Sequence, residues 1–271
     1  MKKLLLFVIA TAAIPVCKAQ NEINFNISYL PNLEYTVSQE QNIENIIKYS
    51  GTEDALQGLK DKGVENPKVT VNTVQLQSVL KTGNLKGSQI PIELEFIESS
   101  DPSISVGTKI FGNIIDGKIK FDSISSQTLN EEGKQTALSM MESLMNQIKF
   151  PNKKFKIGDR FTQNSPLSLP IGNLVLDMDI STTYTLMAIK DGIGYFDIDQ
   201  IYTAKSNMEE YEIKIKGTAD GTMEFDNEKQ FYRKYVMDLE MDMTMNIEEI
   251  TMEMKMNQKL DQTAEIKKRS N

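Results

Sequence analysis

Apolar residues recur at every second position over most of this chain. That is the signature of strands with one dry and one wet face. Ile90, Ile92, Leu94 and Phe96 form one such row, and Tyr211, Ile213 and Ile215 another. A longer row runs through Leu174, Leu176, Met178, Ile180, Thr182, Tyr184 and Leu186. The clearest is Met237, Leu239, Met241, Met243, Met245 and Ile247, with Asp238, Glu240, Asp242, Thr244 and Asn246 between them. Ile250, Met252, Met254 and Met256 continue the pattern. Alternation of this kind predicts an antiparallel sheet solvated on one side. Phe231 to Ile247 reads as one strand of 17 residues, against an ordinary length of about 5–6. Strands so long point to a strongly twisted, curved sheet or an open half-barrel.

Asp116-Gly117, Asp191-Gly192 and Asp220-Gly221 each lie between strand-like runs. Asp-Gly supplies the positive φ of tight hairpins, so all three are read as turns. Asn246 to Glu249 is read as the turn between the two Met-rich strands. Helices are few. Asn130 to Lys149 is the strongest, with Ala137, Met141, Leu144, Met145 and Ile148 at helical spacing. Thr128 with Glu131 resembles a capping box, and Pro151 lies past the end. Shorter helices are expected at Gln39 to Tyr49 and Glu53 to Lys62, the second stopped by Gly63. The expected fold is therefore mainly β with few helices: a large curved antiparallel sheet or open half-barrel with an amphipathic helix on its dry face. The motif D-G-x-[I/M]-x-F-D occurs at Asp116 to Asp122 and again at Asp220 to Asp226. Two readings of it stay open, duplicated halves or convergent turn chemistry within one β-rich domain over residues 20–271.

The first residues change the picture of where the protein resides. Lys2 and Lys3 precede an apolar run from Leu4 to Val16, 13 residues interrupted by Thr11. A bilayer span needs about 20, so residues 1–19 read as a secretory signal cleaved after Ala19. Lipidation at Cys17 is the weaker alternative, because bulky Val16 stands where that processing takes a small residue. Export would be to the periplasm or the medium of a Gram-negative-type cell. Loss of residues 1–19 removes three lysines and the single Cys, leaving 27 basic against 38 acidic residues, a charge of −11. No transmembrane segment is expected after residue 19. An acidic chain is also a poor partner for nucleic acid.

Chemistry is narrowly bounded. The chain has no His and no Trp, and the mature form would have no Cys. His-based triads, His or thiolate metal sites and disulfides are thereby excluded. No Gly-rich phosphate loop or G-x-S-x-G elbow is present. Asp177 and Asp179, Asp197 and Asp199, and Asp238, Glu240 and Asp242 each share a strand face. They could be read as acid–base pairs but are better read as the wet side of amphipathic strands. No enzymatic activity, cofactor or metal is expected.

Phe150 to Phe161 reads F-P-x-x-x-F-x-x-G-D-x-F directly after the amphipathic helix. The segment resembles a family of exported bacterial proteins of unknown function, in which a helix precedes it and a long-stranded β region follows. The resemblance spans about residues 110–250 in order of elements and carries over no functional residue. In element pattern the chain is also similar to periplasmic lipoprotein carriers. Those are half-barrels wrapped around helices with an apolar cavity for acyl chains, and that likeness implies such a cavity here.

The candidate site follows from the Met rows. Of 15 Met, eight lie from Met223 onward. Met241, Met243, Met245, Met252, Met254 and Met256 form two M-x-M-x-M runs on the dry face. Met is unbranched and adaptable. The rows therefore suit a filled core or a deformable lining for a lipid or other apolar ligand. A soft copper(I) site is a third reading. The expectation is an exported, non-enzymatic envelope protein with these six Met bordering an apolar site. Its alternative is a structural or protein-interaction component with a filled core.

Overall fold

The computed structural model describes residues 21–147, 150–171, 174–207 and 212–269, with backbone alone at 144, 147, 168–171, 174–176, 205–207 and 212. The expected leader 1–19 with Cys17, together with Ile148, Lys149 and Tyr211, lies outside the described residues. So do the side chains of Leu144, Leu174 and Leu176.

A short strand β1 (Glu22–Phe25) is followed by the long β2 (Leu33–Gly51), helix α1 (Glu53–Asp61), β3 (Lys68–Thr82), β4 (Gln89–Ser99), β5 (Lys109–Ile115) and β6 (Lys118–Ser125). Helix α2 (Glu131–Gln147) and the short β7 (Lys153–Lys156) come next. Then follow β8 (Arg160–Ile171), β9 (Leu174–Lys190), β10 (Ile193–Asn207), β11 (Glu212–Asp226), β12 (Phe231–Ile247) and β13 (Ile250–Lys268). Eleven strands make one open antiparallel sheet in the order β6-β5-β4-β3-β2-β13-β12-β11-β10-β9-β8. Strands β1 and β7 form a separate pair. Two meanders are thus joined by β2 and β13, which match along 19 residue pairs, or about 60 Å at about 3.3 Å per residue. No helix among the described residues is long and apolar enough to cross a membrane.

The sheet is curled. Ten inter-strand gaps of about 4.8 Å would separate the edges of a flat sheet by about 48 Å. Yet α2, 17 residues and about 25 Å long, touches both edge strands, β6 and β8. Its packing on β6 is specific. The Asn146 carboxamide accepts from the Ile119 N–H at 3.0 Å and donates to the Ile119 C=O at 2.7 Å. The Glu142 carboxylate accepts from the Phe121 N–H at 3.1 Å. Side chains of α2 therefore occupy the outward hydrogen-bonding groups of an edge strand. The other edge, β8, carries Pro166 and Pro170, residues that edges tolerate and that blunt further pairing.

Most of the core lies at one end of the long strands. Ile23 and Phe25 of β1 and Phe155 of β7 insert among Tyr184, Leu186, Phe196, Ile198, Met223 and Phe225. The Phe25 ring sits 4.8–5.9 Å from four other rings, in tilted or edge-on contact. Burial of each such ring contributes about 1.5–3 kcal/mol. A second cluster joins Tyr35, Leu80, Leu94, Ile110 and Phe121 to Leu138 of α2 and to Phe231. The F-P-x-x-x-F-x-x-G-D-x-F segment makes part of this core. Phe155 is fully buried and Phe161 packs edge-on against it at 6.3 Å. Gly158 takes φ 89. The N–H of Gly158 donates to the Leu186 C=O at 2.8 Å, and the Asp159 C=O accepts from the Leu186 N–H at 3.1 Å. The segment thus ties the small sheet to the large one.

Several expectations are met and several are corrected. β12 is the 17-residue strand read from the sequence. Asp116-Gly117 (φ 51 and 77) and Asp191-Gly192 (φ 51 and 78) are hairpin turns, and Glu248 turns β12 into β13 with φ 50. Asp220-Gly221 is not a turn. Both residues lie inside β11, opposite Asp238 and Met237. A Cβ at Gly221 would run into the Val236 carbonyl oxygen, so this glycine serves close backbone approach. The two D-G-x-[I/M]-x-F-D segments consequently occupy different local structures. Gln39 to Tyr49 is strand, part of β2, and not a helix. Ile43, Ile46 and Ile47 mimic helical spacing, but β13 and β3 pair with this segment on both sides. Helix α1 is present as expected. The cap of α2 is Asn130, whose Oδ1 accepts from the Gly133 N–H at 2.8 Å. Thr128 instead bonds the Ser105 hydroxyl at 2.7 Å. Among the described side chains of α2, Leu138 is the buried one, with Met141 and Met145 packed beside it.

Two substitutions test this account by chemical denaturation followed by circular dichroism. Asn146→Ala should lower stability by about 1–3 kcal/mol, because two backbone groups of the edge strand lose their partners. An unchanged midpoint would show that α2 does not protect that edge. Gly221→Ala should cost more than Gly117→Ala. The first forces two backbones apart, whereas the second strains a single left-handed turn residue by about 1–2 kcal/mol.

Candidate functional site

Strands β4, β5 and β6 have 11, 7 and 8 residues and stay at the core end. Strands β2, β3 and β8–β13 run on beyond it, and their inward face is where the candidate residues lie. Register and alternation divide that face into three zones.

Nearest the core is the aromatic zone of Phe25, Phe155, Phe225 and Phe231. Next comes a belt of hydroxyls and carboxamides. Gln262 of β13 donates to Gln39 of β2. Gln200 donates to the Thr182 hydroxyl at 3.1 Å and accepts from the Tyr202 hydroxyl. Tyr29 stacks edge-on against Tyr35 at 5.1 Å, and Tyr232 lies on Phe231 at 4.5 Å. A partly enclosed cavity of about 170 Å³ opens in this belt. It is lined by Tyr29, Tyr35, Gln39, Ser78, Tyr232 and Gln262 together with aliphatic residues of β2–β4 and Met145 of α2.

The third zone holds the Met rows at the far end of the strands. Met241 faces Met256, Met243 faces Met254 and Met245 faces Met252 across β12 and β13. All six residues named from the sequence therefore meet on one face, and each is half-buried. Met241, Met243 and Met245 pack against a small cluster of Met178, Ala204, Ile213 and Ile215. On the other flank, Met252, Met254 and Met256 lie beside Tyr49, Ile47 and Asn45 of β2. Helix α2 packs on the core-end cluster. Helix α1 touches β2 near this far end but buries none of its own residues. Its N-cap Thr52 hydroxyl donates to Glu249 in the β12–β13 turn at 2.8 Å.

Burial pushes the tyrosines of the belt up in pKa. Tyr35, Tyr202 and Tyr232 are raised to about 12. Tyr29, Tyr184 and Tyr235 are raised further, first by burial and then by neighbouring tyrosines. These groups are neutral hydrogen-bonding partners at physiological pH. The paired acids lie elsewhere. Asp177, Asp179, Asp197, Asp199, Asp238, Glu240 and Asp242 are all exposed on the opposite face. Asp238 meets Lys259 at 3.5 Å and Asp199 meets Arg160 at 3.9 Å. Among the described residues, no group of three or more acidic residues could hold a metal ion. Such a face can accommodate an apolar chain and hydrogen-bond neutral groups.

The belt was missed in the sequence because Gln39 to Tyr49 read as a helix. The alternation of Tyr35, Val37, Gln39, Gln41 and Ile43 was the available signal. No family model matches the chain, and no curated protein sequence matches it significantly.

Tyrosine ionisation reports on the belt. Below about pH 10 these phenols are protonated both in the fold and in the unfolded chain. Between about pH 10 and the raised values only the unfolded chain ionises. Stability is therefore full below about pH 10 and is lost as pH rises toward 12, by up to about 1.4 kcal/mol per pH unit for each tyrosine. Absorbance titration should show phenolate formation at these six tyrosines delayed until circular dichroism records unfolding. Ionisation of every tyrosine near pH 10 with the sheet intact would contradict the burial described.

Proposed function

We propose that this is an exported, non-enzymatic protein of the cell envelope that binds a lipid or similar apolar ligand on the inner face of its curled sheet. The observation that carries the reading is the Met zone. Three cross-strand Met pairs extend past the main core and remain half-exposed, with no buried helix residue over them among the described residues. Contiguous apolar surface of this kind in a water-soluble chain favours a partner or ligand, and Met side chains adapt to chains of varied shape. The apolar leader-like residues 4–16 support the exported part of the reading. The loose likeness in element pattern to periplasmic lipoprotein carriers supports the ligand class.

Native mass spectrometry tests the proposal. Protein recovered from its own envelope, or mixed with an envelope lipid extract, should carry one lipid mass. The pair Met243→Thr and Met254→Thr removes apolar contact from facing positions on β-compatible side chains. It should weaken lipid retention by about tenfold, the loss of about 1.4 kcal/mol. An unliganded mass under both conditions would instead favour a structural or protein-interaction component with a filled core.

A further inference from the structure

We propose that the bound lipid is uncharged, an acyl ester or amide, with its polar end in the Tyr–Gln cavity and its chain lying along β2 and β13 to the Met rows. This inference rests on the lipid-binding reading above and adds the chemistry of the ligand and its orientation.

The first observation is the segregation of charge by face. Inward positions of β2 from Tyr35 to Tyr49 are Tyr, Val, Gln, Gln, Ile, Asn, Ile and Tyr, all uncharged. Inward positions of β13 from Met252 to Ile266 are Met, Met, Met, Gln, Leu, Gln, Ala and Ile, also uncharged. On β12 the row from Tyr235 to Met245 is likewise neutral. The charges of the same strands, such as Glu40, Glu44, Lys255, Lys259 and Asp261, take the alternate positions on the outer face. An anion moved onto the inner rows of β2, β12 and β13 would lose water and meet no counter-charge from those strands, which is heavily unfavourable. The inward Lys68 of β3 stands exposed at its strand end, opposite Ile47 and away from the cavity.

The second observation is the cavity. At about 170 Å³ it is smaller than the 300–1,000 Å³ or so of a pocket that encloses a whole ligand. It suits a polar head alone. Its hydroxyls and carboxamides, from Tyr29, Tyr35, Tyr232, Gln39 and Gln262, can donate to and accept from an ester, amide or hydroxyl group. The third observation is the distance. Gln262 lies six residues from Met256 on the same face of β13, about 20 Å at about 3.3 Å per residue. That is the scale of one long acyl chain.

The test compares two ligands of equal chain length by calorimetry on the wild-type protein at about pH 8, where a fatty acid is ionised. Monopalmitoylglycerol should bind at least about tenfold more tightly than palmitate. Tyr232→Phe and Gln262→Leu keep most of the packing, and each should narrow that ratio. Palmitate binding as tightly as the ester would overturn the neutral-lipid inference and leave the lipid-binding face standing. Failure of both ligands to bind would remove the lipid reading and this inference with it. A preference for the ester that neither substitution alters would overturn the placement of the polar end in the cavity.

Discussion

An open antiparallel sheet leaves the outward N–H and C=O groups of its two edge strands without sheet partners. In this protein one helix answers much of that constraint. The Asn146 carboxamide and the Glu142 carboxylate of α2 take the places that a further strand would occupy beside β6. The same helix reaches β8, so the sheet must curl until both edges approach it. Curvature then turns one face inward, and that face becomes the place where a core can form.

The core fills only part of what curvature encloses. The short strands β4–β6, the β1–β7 pair and α2 all gather at one end. There the aromatic cluster around Phe25 and Phe155 fixes the small sheet on the large one. The longer strands continue because their ladders are supported on both sides, as the 19 pairs between β2 and β13 illustrate. A strand that outruns the main core still alternates, so its inward side stays apolar while only partly packed, here on the small cluster of Met178, Ala204, Ile213 and Ile215. The Met zone follows from this difference in length. Between core and Met zone, Gln39 pairs with Gln262 and Gln200 with Tyr202, as buried polar groups must.

The F-P-x-x-x-F-x-x-G-D-x-F segment has a structural explanation. Phe155 and Phe161 pack together in the core, Gly158 supplies the positive φ, and the backbone of Gly158 and Asp159 locks onto Leu186. Its residues position β7. None of them faces the Met zone, so the most specific motif in the chain concerns folding and leaves the ligand-binding reading to the strand faces.

Local rules were enough to read much of this molecule. Alternation identified β12 at its full length and put the six Met on one face, because a strand's period is set by its own backbone. Asp116-Gly117 and Asp191-Gly192 were legible because a two-residue turn is a local structure. Asp220-Gly221 carries the same dipeptide, yet it lies in a strand because Val236 and Met237 press against it from a neighbour 15 residues away. Gln39 to Tyr49 has helical spacing of its isoleucines and became strand through pairing with β13, more than 200 residues distant. The Tyr–Gln belt was hidden by the same misreading, since it assembles from Gln39 and Gln262 only when those strands meet. Sequence alone therefore determined strand periodicity, the two hairpin turns, the main helix and the absence of histidine chemistry. Tertiary structure decided the strand partners, the capped edge and the meeting of the neutral inner rows of β2, β12 and β13, because each depends on residues that only long-range pairing brings together.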